Sequence, residues 1–188
     1  MYLVIFLLWF VLAVLAGATG RTARMQPPAP QAVIVGLIAA QVLLYRRVRG
    51  FRAWADSLPL RAVLALHLTR FVGLYFLVLY GRGELPYAFA VPGGWGDILS
   101  ATGSAVVMAL TDSFGTRRML ILGWNLFGLA DILMVVATAT RLFLADPSSM
   151  RALLQLPLSL LPTFLVPLII AGHLLVFRRL SLARTPWR

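Results

Sequence analysis

Six residues of this sequence are polar or ionisable and fall within, or at the end of, long apolar segments: His67, Arg70, Asp97, Asn125, Asp131 and His173. An ionised side chain at the centre of an inserted helix costs about 2.5–3.5 kcal/mol, so such residues mark ion pathways, ligand sites or contacts between helices. These six are therefore the candidate site residues.

Arg70 and Asp131 have opposite charges and fall at similar depth in different apolar segments, counted at about 1.5 Å per helical residue. Each would be costly alone, so we expect them to pair. The pair can lock two helices together, or it can belong to a binding site for a small polar solute, or to a proton relay. In the binding interpretation Arg70, Asp97, Asn125 and Asp131 contact the solute.

His67 and His173 are the two histidines of the chain, and helical counting places them at matching depth on separate segments. Two imidazoles at one level are what bis-histidine ligation of haem b, or a site for a divalent metal, requires. The alternative is a pair of neutral histidines that bond carbonyl groups across helices or handle protons. Both interpretations stay open at this point.

The sequence lacks the residues that several common kinds of catalytic and metal site require. The sequence has no cysteine, which excludes disulfides, thiolate metal sites and cysteine nucleophiles. It also lacks the phosphate-binding, dinucleotide-binding, zinc-protease and serine-hydrolase motifs. Whether the chain is an enzyme stays undecided.

One short pattern occurs twice. Gly94 to Leu99 and Gly128 to Leu133 both read G-x-x-D-I-L. A duplicated unit could place Asp97 and Asp131 symmetrically around a site, as in transporters built from inverted repeats. Counting, however, puts Asp97 at a membrane interface and Asp131 near the midplane, which argues for chance.

The elements that must position these residues are apolar helices. The chain is 61% hydrophobic and only 12% charged, whereas soluble domains have about 25% charged residues. Its apolar residues form blocks near the length of about 20 residues that crosses a bilayer. We expect an all-α integral membrane protein, a single-domain bundle of six transmembrane helices, with spans at about residues 2–18, 31–46, 61–81, 96–111, 119–141 and 155–178.

The first and the last apolar blocks each contain an unusual short pattern. Ala16, Gly17 and Ala18 resemble a signal-peptidase site, but no basic residue precedes the first block, so we expect that span to be retained. Pro157, Pro162 and Pro167 recur in the last block, where a helix is tolerated only if neighbours satisfy the freed carbonyls. We expect kinks or a broken outer half there.

The distribution of arginines predicts how the chain is oriented in the membrane. Cytoplasmic loops retain arginine and lysine, and with both termini inside, eleven arginines fall on the cytoplasmic side and five outside. The net charge of +11 lies in short clusters between apolar blocks, which favours anionic inner-leaflet lipids over nucleic acid as partner. Four tryptophans near block ends are expected as interfacial anchors: Trp54, Trp95, Trp124 and Trp187. The first two spans lack interior charge and are expected to form an outer wall, or a contact within a homo-oligomer or larger membrane complex.

Several short segments carry a resemblance: Gly83-Glu84-Leu85-Pro86, Phe89-Ala90, Gly96-Asp97-Ile98, and Leu161 to Leu168 with His173. They resemble a pattern of uncharacterised small polytopic membrane proteins of bacteria. The resemblance brings no activity and no functional residue. With the exclusive use of arginine among the 17 basic residues, which indicates high-GC coding, it favours a bacterial inner membrane.

Overall fold

The computed structural model describes residues 1–110 and 114–182, except the side chains of residues 114–117. Throughout this part of the chain the regular elements are helical and no strand occurs. The α-helices are α1 (Tyr2–Ala18), α2 (Ala29–Arg47), α3 (Arg49–Ser57), α4 (Leu60–Leu66), α5 (Gly73–Gly81), α6 (Tyr87–Ala109), α7 (Phe114–Ala145) and α8 (Val166–Leu182). Shorter 3₁₀ segments cover Thr22–Arg24, His67–Val72 and Pro147–Leu154, and a π-helical turn covers Leu161–Leu165.

Four helical segments within the described residues are long and apolar enough to cross a membrane: Ala29–Arg47, Leu60–Gly81, Arg118–Ala145 and Leu161–Leu182. The apolar helix α1 is shorter, at 17 residues. The helix α6 has 23 residues, which span about 35 Å at 1.5 Å per residue. The helical class is as predicted, and the apolar segments fit a membrane protein.

The helix that contains the predicted fourth span begins before it. The span is predicted from Gly96, and α6 begins nine residues earlier, at Tyr87. The Gly- and Pro-rich stretch around Pro92 thus belongs to this helix. Glycines are used here for close packing, since a Cβ on Gly73 of α5 would collide with the backbone of Gly94. The predicted end of this span, Thr111, lies outside the described residues.

The arginine-rich helix ends meet at one end of the bundle. Arg179 of α8 donates hydrogen bonds to the carbonyls of Ala55 and Asp56 at the end of α3 (2.8 and 3.2 Å), and Arg118 of α7 donates to the carbonyl of Leu180 (3.2 Å). Tyr2 of α1 packs on rings of α3 at the same end. The C-terminal residues Arg184, Trp187 and Arg188, and the side chain of Arg117, lie outside the described part.

The opposite end is closed by two short 3₁₀ segments. The buried Thr22 hydroxyl donates to the carbonyl of Leu154 (2.7 Å), which ties the loop after α1 to the 3₁₀ segment before the last span. Asp146 caps that segment, and hydrogen bonds from Ser148 lower the pKa of its carboxyl.

The last apolar segment is interrupted in its N-terminal half by the π-helical turn, as its prolines predict. Pro167 has no N–H for the carbonyl of Thr163, four residues earlier. The indole N–H of Trp9 in α1 donates to that carbonyl instead, at 2.8 Å. The side chains of Trp9 and Phe10 also pack on Phe164. The first helix therefore satisfies the backbone that the proline leaves open.

Candidate functional site

The centre of the site is Arg70, in the 3₁₀ segment that joins α4 to α5. A 3₁₀-helix has about three residues per turn, so residues three apart lie on one face. His67 and Arg70 are therefore directed to the same side, and both are buried, at 0% and 1% exposure. Arg70 lies ten residues from the start of the Leu60–Gly81 segment and eleven from its end, at mid-length.

The guanidinium of Arg70 is held by two other helices. Its Nε donates to Asp97 Oδ1 of α6 (2.7 Å), and its Nη2 donates to Asp131 Oδ2 of α7. Its Nη1 donates to the Ser100 hydroxyl (2.6 Å) and to the carbonyl of Gly128 (2.9 Å). Four of the five N–H groups of an arginine thus meet groups of the chain itself. The pairing of Arg70 with Asp131 agrees with the sequence prediction.

The position of Asp97 differs from the prediction. The sequence places it at the outer interface, whereas it lies ten residues into α6, with twelve residues after it, and is 3% exposed. The cause is the early start of α6. The aspartates of both G-x-x-D-I-L copies therefore accept hydrogen bonds from the same guanidinium, that of Arg70.

Glycines allow this close approach. A Cβ on Gly96 would overlap the carboxylate of Asp131, and a Cβ on Gly128 would lie 2.8 Å from Ser100 Oγ and 2.7 Å from His173 Cε1. The first carbon of any side chain at these positions would displace a member of the site. Small residues thus bring α6 and α7 together around Arg70.

The charges of this cluster do not balance. One guanidinium faces two carboxyl groups, and Asp97 and Asp131 are 3% and 6% exposed. With both carboxyl groups ionised, the cluster carries one negative charge in excess. A buried charge without a partner is costly, and one further positive charge would restore neutrality.

The two histidines meet one helical turn away. The ring centroids of His67 and His173 are 4.3 Å apart, with the ring planes inclined by 54°. Trp124 of α7 packs edge-on against His67 at 4.8 Å and donates its indole N–H to the carbonyl of Ser100 (2.9 Å). Trp124 is 7% exposed. The expectation of an interfacial anchor at Trp124 is wrong, because its side chain fills the space beside the imidazoles.

Asn125 fixes the protonation of His173. Its Nδ2 donates to the backbone carbonyl of His173 (3.2 Å), so its Oδ1 is the atom 2.8 Å from His173 Nδ1. An amide oxygen only accepts. The Nδ1 of His173 therefore carries the hydrogen, and Nε2 of the neutral ring keeps its lone pair.

Three ring nitrogens of this pair are buried without a hydrogen-bond partner: His67 Nδ1, His67 Nε2 and His173 Nε2. Buried polar atoms in proteins nearly always have a partner. These three nitrogen atoms are therefore the unused hydrogen-bonding capacity of the imidazole pair.

The rings do not fit a haem. A metal–nitrogen bond to imidazole takes about 2 Å, so a porphyrin held between both rings would separate their centroids by about 6 Å. The observed 4.3 Å leaves no such gap. For a divalent metal, the described residues contain no cluster of three or more His, Asp or Glu that could hold the ion. The His67 and His173 pair thus has the predicted common depth without the geometry of a haem site.

A small cavity of about 80 Å³ adjoins the ionic cluster. Its wall includes Arg70 and Asp97, and it extends past Val135 and Phe143 of α7 to Gln31 at the start of α2. The Oε1 atom of Gln31 is buried without a partner. A water needs at least about 10–15 Å³ of such volume, so the cavity has room for a few waters or a small ion, but not for a metabolite.

The structure thus brings all six sequence candidates into one region. Sequence reasoning missed Ser100 and the Gly128 carbonyl. Ser100 could have been found, because it follows Asp97 by three residues and precedes Ser104 by four on the same helical face. The Gly128 carbonyl had no sequence signal, since a backbone acceptor exists at every residue.

Comparison with known proteins identifies a family without an activity. The model of the family described as "Domain of unknown function (DUF8737)" matches residues 27–181. The chain belongs to this family. The family region includes the whole ionic cluster and both histidines, and begins after α1. No curated protein and no solved structure matches the chain.

Proposed function

We propose that the chain is a six-span protein of a bacterial inner membrane, with both termini and the arginine-rich end in the cytoplasm. The four long apolar segments and the apolar α1 support five of these spans. The sixth is α6, whose Asp97 is neutralised by Arg70 within the bundle. The arginines that gather at one end, among them Arg118 and Arg179, support the orientation through the positive-inside rule.

Within this bundle we propose that the ionic cluster binds a small cation at the middle of the membrane, and that this cation is a proton. The observation that carries the proposal is the pair of buried carboxyl groups, Asp97 and Asp131, against the single guanidinium of Arg70. A proton on one carboxyl group restores neutrality. An anionic solute is disfavoured, because Arg70 already donates to the chain itself.

The surroundings support movement of that proton. The small cavity leads from Arg70 towards the outer end, and the imidazole pair lies on the inner side of the cluster. The Nε2 lone pair of His173 is free to accept a proton. We propose that protons reach the carboxyl groups from outside through the cavity and leave through His173 and His67. Of the roles predicted for Asp97, Asn125 and Asp131, direct contact with the cation is kept for the two aspartates, and Asn125 orients His173.

The test is infrared spectroscopy of the reconstituted protein through a pH titration. A protonated carboxyl group gives a carbonyl band that a carboxylate lacks. We expect one buried carboxylic acid in the wild type and its loss in Asp97→Asn or Asp131→Asn. Asp146→Asn, which changes an exposed aspartate outside the spans, is the matched control and should leave the band unchanged. Two ionised carboxylates across the pH range would contradict proton binding; a band lost on adding Na⁺ would identify a metal cation instead.

A structural role is the second candidate, and one observation favours it: the guanidinium of Arg70 is almost fully satisfied by groups on two neighbouring helices. In that case the cluster serves assembly of the bundle, as in a structural membrane subunit. Arg70→Ala and Asp131→Ala would then each damage folding, and the double variant would be partly rescued. Proton flux into liposomes decides between the two, because a purely structural cluster leaves flux at the level of empty liposomes.

We propose lipid as the covering of α1 and α2, whose large apolar side chains are widely exposed. A homo-oligomer or a larger membrane complex would cover the same faces. Cross-linking in native membranes distinguishes these partners.

A further inference from the structure

A second and larger cavity lies at the arginine-rich end, away from the ionic cluster. It is a groove of about 650 Å³ between α1, α2, α4 and α8, with α3 across its end. Ligand sites in proteins range from about 300 to 1,000 Å³. Helix α1 meets the bundle through Tyr2 and Phe6 on the rings of α3 and through Trp9 at the π-helical turn, and the groove lies beside these contacts.

The interior of the groove is apolar. Leu3 and Phe6 line one side, and Val63, Leu66 and Leu168 line the other. Its floor includes Gly172, which leaves the groove deep because it has no side chain. An occupant must therefore present a hydrocarbon portion.

The rim of the groove is basic. Arg46, in the last turn of α2, and Arg178, in the last turns of α8, both line it. The guanidinium carbon of Arg178 lies 4.9 Å from the ring centroid of Tyr45, and its Nε is buried without a hydrogen-bond partner. Its ion pair with Asp56 is long, at 3.8 Å, and more than a third exposed. The rim thus offers guanidinium groups with unused donors.

We propose that this groove binds one anionic phospholipid, with an acyl chain between α1 and α8 and its phosphate between Arg46 and Arg178. Arginine is the residue best suited to bind phosphate through two parallel hydrogen bonds. The last residues of the chain are a poor alternative occupant, since Arg184 and Arg188 would be repelled by the basic rim. A second copy of the chain would bring the same basic rim to the groove.

The test measures the melting temperature of the full-length protein, delipidated in detergent, as phosphatidylglycerol is added. A ligand that binds the folded state raises the melting temperature with its concentration. We expect phosphatidylglycerol to do so, and phosphatidylcholine with the same acyl chains to have little effect. Glycerophosphoglycerol, the headgroup without chains, should also have little effect.

Variants locate the site. Arg46→Gln and Arg178→Gln should each weaken the response to phosphatidylglycerol about fivefold, the loss of one basic contact with an anionic lipid. Arg47→Gln is the matched control, because Arg47 neighbours Arg46 but does not line the groove, and it should respond like the wild type. Ala171→Phe, which fills the groove, should abolish the response. Asp56→Asn removes the carboxylate that competes for Arg178 and should strengthen it.

Three results would overturn the proposal. The first is an equal response to both phospholipids, and the second is an equal loss in Arg46→Gln and Arg47→Gln. The third is a response that appears only after residues 183–188 are removed, which would make the chain's own tail the occupant. If Ala171→Phe does not fold, Asp56→Asn and the arginine variants still decide the question.

Discussion

The ionic cluster around Arg70 and the imidazole pair of His67 and His173 are one helical turn apart and are built in opposite ways. Arg70 uses four of its N–H groups on groups of the chain. In the imidazole pair, three of the four ring nitrogens have no partner. Under the proposed function the cluster fixes three helices and holds the proton on a carboxyl group, whereas the imidazole pair offers free nitrogen atoms to which that proton can move. The variants below test this division, from the largest expected effect to the smallest.

Arg70→Leu should have the largest effect. It leaves the carboxyl groups of Asp97 and Asp131 buried without their guanidinium, and removing one partner of a buried ion pair costs about 3–5 kcal/mol. We expect a loss of that size in the free energy of unfolding, measured in mixed micelles. Wild-type stability in this variant would mean that the cluster does not hold the helices together.

Gly96→Ala should come next. The added Cβ would overlap the carboxylate of Asp131 and push it away from Arg70. We therefore expect the free energy of unfolding to fall by about 3 kcal/mol, the upper part of the range for overpacking. Gly123→Ala in α7 is the control, because an added Cβ there meets no atom within 4 Å. Equal stabilities of these two variants in the same micelle assay would contradict the tight contact of α6 with α7.

Asn125→Leu tests the link between the pair and the bundle. It removes the amide that bonds Nδ1 and the carbonyl of His173, and an unsatisfied buried group costs about 1–2 kcal/mol. We also expect slower proton flux, since the hydrogen on Nδ1 is no longer fixed. Thr138→Val on the same helix controls for loss of a polar side chain. Flux equal to wild type would show that the orientation of His173 is irrelevant to conduction.

His67→Phe should change the free energy of unfolding least, by about 1 kcal/mol or less. The variant keeps an aromatic ring at this position and loses no hydrogen bond. Proton flux into liposomes should nevertheless fall to the background of empty liposomes. This variant separates the two halves of the comparison most cleanly. A large loss of stability with unchanged flux would reverse the roles assigned to His67 and Arg70.

The sequence predicted the helical class and the clustering of the polar residues, because a polar residue in an apolar segment is costly unless it has a partner. Arg70 and Asp131 could be paired by counting alone. The depth of Asp97 could not be predicted in this way, since it depends on where α6 begins. Glycines beside a proline are typical of loops in soluble proteins, whereas here the glycines beside Pro92 are helical and Gly94 packs against Gly73. Helix boundaries that depend on contacts between backbones have no local signal.

The histidines show the same limit in another form. Equal depth was predictable from the helical rise of about 1.5 Å per residue, but the distance between the rings depends on how α8 rotates against the Leu60–Gly81 segment. That rotation is set by Asn125 and Trp124 on a third helix. A pairwise count therefore found the level of His67 and His173 but not their contact.

The hydrogen bond from Trp9 to the carbonyl of Thr163 has a consequence for the order in which the protein is made. The donor is made 154 residues before the acceptor. During synthesis the indole N–H of Trp9 therefore lacks this partner until Thr163 has followed, and the carbonyl that Pro167 leaves open is satisfied only when the two segments meet. Closure of this part of the bundle is thus a late event that joins segments far apart in the chain.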